Sequence, residues 1–285
     1  MRPHSFVSLF LVVSVAPVTA CRSTGSAARG PDAAREGAAE TYTWPKLSLA
    51  AGGQLFADVR TEMRVDSDVA GDGTEITLED DFNVDDSVFA GRVDAYWRFT
   101  RRQALDLSFF KLDRNGTRTI DRDIQIGDVV FPVNTTVESD FETLVAKLAY
   151  RYSFFSRERW HAGASLGAYW LDLRSEWQAT GGSLEEELDA KAPLPVLGVF
   201  GSYAFTPKLY LSGASEFFGL EYEQYDGFLN DTRLVLEHRT FEHLALGAGF
   251  DYFLINASVE SEHEGLIHAE LEYGYLGFLV FARLY

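Results

Sequence analysis

Apolar and polar residues alternate with a period of two between Phe141 and Trp170, on both sides of a short break at 156–158. Side chains of a β-strand point alternately to its two faces, so the pattern predicts two strands joined by a tight turn. One face carries Lys147, Arg151 and His161. The other face is wholly apolar: Leu144, Ala146, Leu148, Tyr150, Tyr152, Phe154, Trp160, Ala162, Ala164, Leu166, Ala168 and Trp170.

A hairpin with an apolar outer face, aromatic residues near its ends and a polar inner face is typical of a membrane-spanning β-barrel. The same alternation recurs along the chain and predicts about ten strands. Short connections at 101–103, 156–158, 206–208 and 241–243 alternate with long ones. The predicted fold is all-β: a closed, antiparallel, up-and-down transmembrane β-barrel of about ten strands. A soluble β-sandwich is the alternative, but it needs a second layer over each apolar face.

The predicted connections contain several turn and loop signals. A long acidic segment, 66–86, is expected to be a solvated loop. The segment 121–136 is predicted to be a loop, and the next loop holds the acidic run Glu185–Glu187 before a strand that begins after Pro193 and Pro195. Asp226-Gly227 is predicted to be a turn, and a last loop is expected near 258–264.

The N-terminal region has the features of an export signal. Residues 1–20 combine Arg2 with an apolar run and small residues before Cys21, which predicts a signal peptide. The segment Val18–Cys21 resembles a bacterial lipobox, so lipidation at Cys21 is expected; ordinary signal-peptidase cleavage is the alternative. Residues 21–45 are predicted to be a flexible periplasmic linker, and residues 46–285 to be the barrel in the outer membrane of a diderm bacterium.

The composition of the chain limits the classes of partner that it is expected to bind. The formal net charge of the 285 residues is -18, which argues against nucleic-acid binding because that requires a basic surface. Cys21 is the single cysteine, so no disulfide framework can form within the chain. No cofactor is expected. The expected partners are outer-membrane lipid, the barrel-assembly machinery and, if the lumen is open, small solutes.

The inward face is predicted to carry charges of both signs. A barrel of ten strands is narrow, so these residues are expected to pair across the lumen and block it. The alternative is a thin polar pathway whose selectivity follows the lining charges. The predicted lining residues are Arg92, Asp94, Arg98, Asp106, Lys147, Arg151, Glu216, Arg233, Glu237, Arg239 and Asp251.

Enzymatic activity at the rim of the barrel is a third hypothesis for the function of the protein. Omptin proteases, which are ten-stranded barrels, use an acidic pair and a His–Asp pair. This chain has acidic residues at 80, 81, 85 and 86, with His263 and His268 near the last loop, but no Asp-x-His triplet. His161 and Ser165 share an inward face but are several residues apart. No catalytic residue is predicted. The acids Asp66, Asp68, Asp72 and Glu75 do not match the spacing of an EF-hand loop, so no metal site is predicted.

The C-terminal stretch from Gly277 to Tyr285 ends on an aromatic residue and resembles the signal that the barrel-assembly machinery reads, with Phe281 and Tyr285 as its aromatic members. Four segments resemble those of poorly characterised exported barrel proteins within the outer-membrane β-barrel superfamily: Asp94–Phe99, Leu105–Phe110, Pro193–Gly198 and Tyr203–Pro207. That resemblance covers about residues 46–285 and implies an architecture without a defined reaction.

These patterns predict a non-enzymatic outer-membrane barrel with a structural or surface-interaction role and a narrow charged lumen. Passage of small solutes and an omptin-like or lipid-modifying activity at the rim are the alternatives.

Overall fold

The computed structural model describes residues 44–66, 71–182, 184–222, 225–261 and 267–285. All of them belong to one compact unit, Thr41–Tyr285. The predicted signal peptide, the lipidation site Cys21 and nearly all of the predicted linker lie outside the described residues. In the described part of the chain, no helix has the length and apolar character needed to cross a membrane.

Ten strands form a closed antiparallel barrel, which confirms the predicted fold class. Each strand pairs with the next barrel strand along the chain, and the ladder from Leu49–Leu284 to Val65–Ala269 joins the last strand to the first. The ten strands are β1 (Leu47–Val65), β3 (Val88–Arg98), β4 (Gln103–Thr119), β7 (Thr136–Ser156), β8 (Trp160–Ala179), β9 (Glu185–Ala204), β10 (Leu209–Tyr222), β11 (Tyr225–Arg239), β12 (Leu244–Ser261) and β13 (Ile267–Leu284).

The predicted faces of β7 and β8 are confirmed. Leu148 and Trp170 are exposed on the outside, whereas Val145, Lys147 and Tyr169 are buried in the lumen. From Trp160 to Trp170 the outward face of β8 is apolar, and beyond Trp170 it becomes polar. About ten residues of a tilted strand match the apolar band of such barrels, about 25 Å tall. We call this band the apolar belt.

The two ends of the barrel differ. Tight turns connect β3 to β4, β7 to β8, β9 to β10 and β11 to β12, and Tyr285 lies at the same end, which we call the turn end. The longer connections lie at the opposite end, the loop end. On β1, Asp58 adopts a left-handed backbone conformation with φ 52° inside a register shift between Ala57 and Arg60. This β-bulge exchanges the two faces of the strand toward the loop end.

The loop-end connections contain more structure than the sequence predicts. The acidic segment forms β2 (Ile76–Thr77) and a short helix, α1 (Leu78–Phe82), and the segment 121–136 forms a hairpin of β5 (Ile124–Ile126) and β6 (Val129–Phe131). The expectation of a solvated acidic loop is therefore wrong for part of this segment. Leu78 and Phe82 are 1% and 0% exposed because they pack on the lumen-facing core.

Two further loop predictions are wrong. The run Glu185–Glu187 and both Pro193 and Pro195 lie within β9. Asp226 and Gly227 lie within β11, where they pair with Glu221 and Leu220 of β10. Turn-forming residue types can enter these strands because the tertiary pairing of their neighbours overrides local preference.

The lumen has two layers. Toward the loop end it is apolar, and α1 and the β5–β6 hairpin close it; the core residues there include Phe56, Phe110, Phe141, Tyr169, Leu171, Trp177, Phe253, Tyr273 and Tyr275. Phe253 and Tyr275 stack with ring centroids 5.3 Å apart. Toward the turn end the lumen is lined by charged residues.

Candidate functional site: the charged lumen

The guanidinium group of Arg92 is the centre of the first charged cluster. It is 5% exposed and donates to the carboxylate of Asp251 at 2.8 Å, to the side-chain oxygen of Gln54 at 3.0 Å and to Ser108 at 2.5 Å. It also pairs with Asp94 at 3.2 Å. These residues come from β1, β3, β4 and β12. One buried cation therefore ties four strands together, and each N–H that it uses meets an acceptor.

Lys147, on β7, forms the second cluster. Its ammonium group donates to Glu216 of β10 at 2.7 Å, and the hydroxyl group of Tyr169 contacts both Glu216 and Asp231. A phenol carries one proton and can donate it to only one carboxylate. The hydrogen bonds of this cluster can all form when one of the carboxylates is protonated. We assign the proton to Asp231, because in the described contacts it has no short ion pair to a lysine or arginine.

A cavity of about 140 Å³ lies below these clusters, toward the turn end. Arg151 donates to Asp106 at 2.6 Å, and Arg233 donates to Asp94 at 3.0 Å. Two guanidinium nitrogens of Arg233, Nε and Nη2, are buried without a hydrogen-bond partner among the described residues. Because buried donors are normally satisfied, this polar cavity suits ordered water.

The C-terminal residues of the barrel form contacts at the rim of the cavity. Arg283 donates to Glu237 at 2.7 Å, and the Tyr285 hydroxyl group contacts the same carboxylate. Arg239 stacks over the rings of Tyr210 and Tyr285. The last residues of β13 are thereby fixed to β11 on the inner face.

Trp44 covers part of the turn end. Its ring makes an edge-on contact with His161, with centroids 4.4 Å apart, and another with Tyr210. Arg98 donates to its carbonyl oxygen, and its indole N–H donates to the carbonyl oxygen of Glu158. The residue that precedes β1 thus lies against the inner wall of β8 and β10.

Arg114 joins the loop-end layer to the barrel wall. It is 1% exposed and donates to Glu79 of α1 at 2.6 Å and to Thr61 at 2.7 Å. Its guanidinium group also lies over the rings of Phe141 and Tyr273. An acidic residue in α1 is therefore needed to neutralise a cation in an otherwise apolar layer.

The structure places all of the predicted lining residues on the inner face and brings most of them into ion pairs with one another. Sequence reasoning missed several members: Gln54, Arg114, Tyr169, Asp231 and Arg283. The alternation around Asp231 carried the signal, because Asp231 shares the parity of the predicted inward residues Arg233, Glu237 and Arg239. No local pattern shows that Arg114 meets α1.

The C-terminal aromatic residues also face inward. The outward face of β13 carries Phe278, Val280 and Leu284, while Phe281 covers Gly247: a Cβ atom added there would lie 2.3 Å from the Phe281 ring. Phe281 and Tyr285 thus share the inner face, and their role in assembly stays a prediction.

The residues considered for catalysis at the rim pair with other residues rather than with one another. His268 pairs with Glu270 at 2.9 Å, and Asp81 pairs with Arg122 at 3.0 Å. His263 lies outside the described residues. Within the described ranges no group of three or more His, Cys, Asp or Glu side chains is arranged to hold a metal ion.

Several solved structures are similar to this chain at low sequence identity. The outer membrane protease OmpT from Escherichia coli superimposes with a TM-score of 0.55 at 8% identity, covering 83% of this chain and 96% of that chain. OprG from Pseudomonas aeruginosa and the toluene transporter TodX from Pseudomonas putida give TM-scores of 0.34 and 0.32, at 10% and 8% identity; the matches cover 86% and 85% of this chain and 97% and 90% of theirs.

No protein-family model matches the sequence, and no curated protein gives a significant match. The similarity at this level of identity concerns the fold. The closed ladder, the apolar belt and the OmpT superposition together show that the chain folds as an outer-membrane β-barrel.

Proposed function

We propose that this protein is a non-conducting, non-enzymatic outer-membrane barrel with a structural or surface-interaction role. The observation that carries the proposal is the double closure of the lumen. The Arg92 cluster spans it at mid-height, and the apolar core with α1 fills it toward the loop end. A solute would have to displace both the buried ion pairs of the Arg92 cluster and the buried apolar core.

The height of one side of the barrel supports a role at the cell surface. Strands β7, β8 and β9 have 21, 20 and 20 residues, whereas about 9–11 residues of a tilted strand span the bilayer. About half of each strand therefore extends beyond the apolar belt at the loop end. Long connections of such barrels face outward from the cell, so this wall and the ordered β5–β6 hairpin are the surface that a partner would contact.

Passage of small solutes is the second candidate. The cavity of about 140 Å³ at the turn end favours it, because a polar chamber is already present below the Arg92 cluster. The route would require movement of the loop-end core.

Single-channel recording in a planar bilayer separates the two candidates. The refolded protein, shown to be folded by heat-modifiable migration, is expected to give no reproducible current steps. Steps that change in the variants Arg98→Ala or Arg151→Ala would contradict the closed barrel and establish a pathway through the charged lumen. An Arg174→Ala variant is the matched control because Arg174 is exposed on the outer wall.

A further inference from the structure

The barrel wall is interrupted between β9 and β10. Their ladder runs from Ala204–Tyr210 to Leu197–Phe217 and ends there, although β9 reaches back to Glu185 and β10 continues to Tyr222. On their other sides both strands stay paired, β9 with β8 as far as Glu185 and β10 with β11 as far as Tyr222. Toward the loop end, these two facing edges therefore lack, among the described residues, the pairing that closes the barrel elsewhere.

A second short ladder shows what a filled interruption looks like. The β3–β4 ladder ends at Arg92–Phe110, but the segment after α1 covers the free edges: the N–H of Asp85 donates to Asn115 on β4, and the carbonyl oxygen of Asp86 accepts from Val59 on β1. No equivalent backbone hydrogen bond crosses the β9–β10 interruption in the described ranges.

The interruption exposes the inner face of β9. Ala192 pairs with Leu171 of β8, and Ala190 pairs with Leu173. The two leucines are 3% and 7% exposed, whereas Ala190 is exposed and Ala192 half-buried, although all four share the inward parity. On β10, Leu220 has the inward parity of Glu216 and is 44% exposed. The inner face is thus accessible from outside at this point.

The walls of this groove are apolar. We define the groove by the inward-facing row of β9 and its counterpart on β10: Leu188, Ala190, Ala192, Leu194, Phe218 and Leu220. Glu186 lies above it and accepts a hydrogen bond from the backbone N–H of Asp128 in the β5–β6 hairpin. The floor is the Leu197–Phe217 pair, whose side chains are 66% and 39% exposed on the outside.

The groove begins inside the apolar belt. Leu197 pairs with Leu166 in the belt, and Pro193 pairs with Trp170 at its loop-end border. The lower part of the groove therefore opens into the lipid, and its upper part opens at the lipid surface. An amphiphile with one apolar chain fits this position, because the chain can enter at the floor while the head group stays outside.

An added β-strand is a poor occupant. Pro193 and Pro195 have no N–H to donate, and the same edge of β9 carries a row of charged residues: Glu185, Glu187, Asp189 and Lys191. Proline and charge are the features that keep an edge strand from pairing with another chain.

From this geometry we infer that the β9–β10 groove is a lateral binding site for an acyl chain of an outer-leaflet lipid. The apolar contacts of Ala192, Leu194 and Phe218 hold the chain, and the unpaired edges let it reach the inner face.

The test uses the full-length barrel in phospholipid vesicles that contain a phospholipid with a diazirine near the end of one acyl chain. After illumination, mass spectrometry maps the adducts. Adducts are expected on the inward-facing groove residues as well as on outward-facing belt residues such as Val199. Adducts confined to outward-facing residues, including Phe217, would overturn the inference.

A filled groove provides the second measurement. The variant Ala192→Phe is expected to lose groove adducts several-fold at Leu194 and Phe218, with adducts at Val199 unchanged. The control Ala168→Phe makes the same exchange on the outward face of β8 and is expected to keep the groove adducts. If Ala192→Phe does not reach the heat-modifiable folded form, Ala190→Phe replaces it. Undiminished groove adducts in a folded filled variant would refute the site.

Discussion

The guanidinium group of Arg92, on β3, donates a 2.8 Å hydrogen bond to the carboxylate of Asp251, on β12, although β1 and β13 lie between these strands. Asp251 is 0% exposed and Arg92 5%. The pair therefore acts as an internal strut that links β3 to β12 across the part of the barrel wall that contains the closing β1–β13 ladder.

Removing Arg92 is expected to leave the buried Asp251 carboxylate with only the longer contact to Arg233, at 3.9 Å. The Arg92→Met variant should lose about 3–5 kcal/mol of unfolding free energy, measured by urea titration in lipid vesicles. Replacing both residues, as Arg92→Met with Asp251→Leu, should recover much of the loss, because neither charge of the pair is left and Asp94 keeps its pairing with Arg233 at 3.0 Å. The exposed Arg174→Met control should change stability by about 0–1 kcal/mol. Equal losses for Arg92→Met and the control would contradict the strut.

The Tyr169 contacts predict that Asp231 and Glu216 respond differently to neutral replacement. Asp231→Asn should retain most of the stability, because an amide resembles a protonated carboxyl group. Glu216→Gln should destabilise the barrel by about 3–5 kcal/mol, because Lys147 loses its charged partner at 2.7 Å. The two variants are compared in the same urea titration, and a larger loss for Asp231→Asn would mean that Asp231 carries the charge.

Phe82 anchors α1 in the loop-end layer, where its ring lies 6.3 Å from that of Trp177. Phe82→Ala should cost about 3–5 kcal/mol locally and release the segment 76–86 to proteolysis while the barrel stays folded. Phe241→Ala is the control, because Phe241 is 64% exposed at a tight turn. Protease resistance that is unchanged in Phe82→Ala would show that other contacts hold α1.

Asp66 lies just beyond β1, outside the membrane-spanning segments. Its burial alone would raise the pKa of the carboxyl group, but the hydrogen bonds from Arg64 and from the Gly73 N–H outweigh it and lower the pKa. The folded pKa is thus below the unfolded one. The stabilisation is complete above the unfolded value, about 3.9, and disappears as pH falls through the folded value.

Proteolysis within residues 71–76 at a series of acidic pH values, with an acid-active protease, measures this dependence. The wild type should become more sensitive as the pH falls below about 4. Asp66→Asn should already be more sensitive at neutral pH and show a flatter profile. Parallel profiles of the two proteins would exclude Asp66 as the titrating group.

Substitution of the inward-facing C-terminal aromatic residues tests the predicted assembly signal. Phe281→Ala removes the ring that covers Gly247, and Tyr285→Ala removes the contact with Glu237. Both variants should slow conversion to the heat-modifiable form when they are assembled by the barrel machinery. Phe278→Ala, on the outward face of the same strand, is the control. Slower assembly of Phe278→Ala alone would show that the machinery reads the outward face.

The local alternation of apolar and polar residues was sufficient to predict the wall of the barrel. The period of two along β3, β7, β8 and β12 placed each side chain on the correct face, because a strand in a barrel has lipid on one side and the lumen on the other along its whole length. The short turns were equally visible. Prediction failed at the loop end: Pro193, Pro195 and Asp226-Gly227 look like breakers, yet they lie in strands whose pairing partners hold them.

The sequence by itself determined the strand faces, the apolar belt and the presence of charges of both signs inside. Only the tertiary structure decided which charges meet. Arg92 and Asp251 are 159 positions apart, and Lys147 and Glu216 are 69 apart. Their pairing depends on strand register and on which strands face each other around the closed barrel. The filling of the lumen by α1 and the unpaired edges of β9 and β10 arise for the same reason: hydrogen-bond ladders and packing between distant segments, which no local pattern encodes.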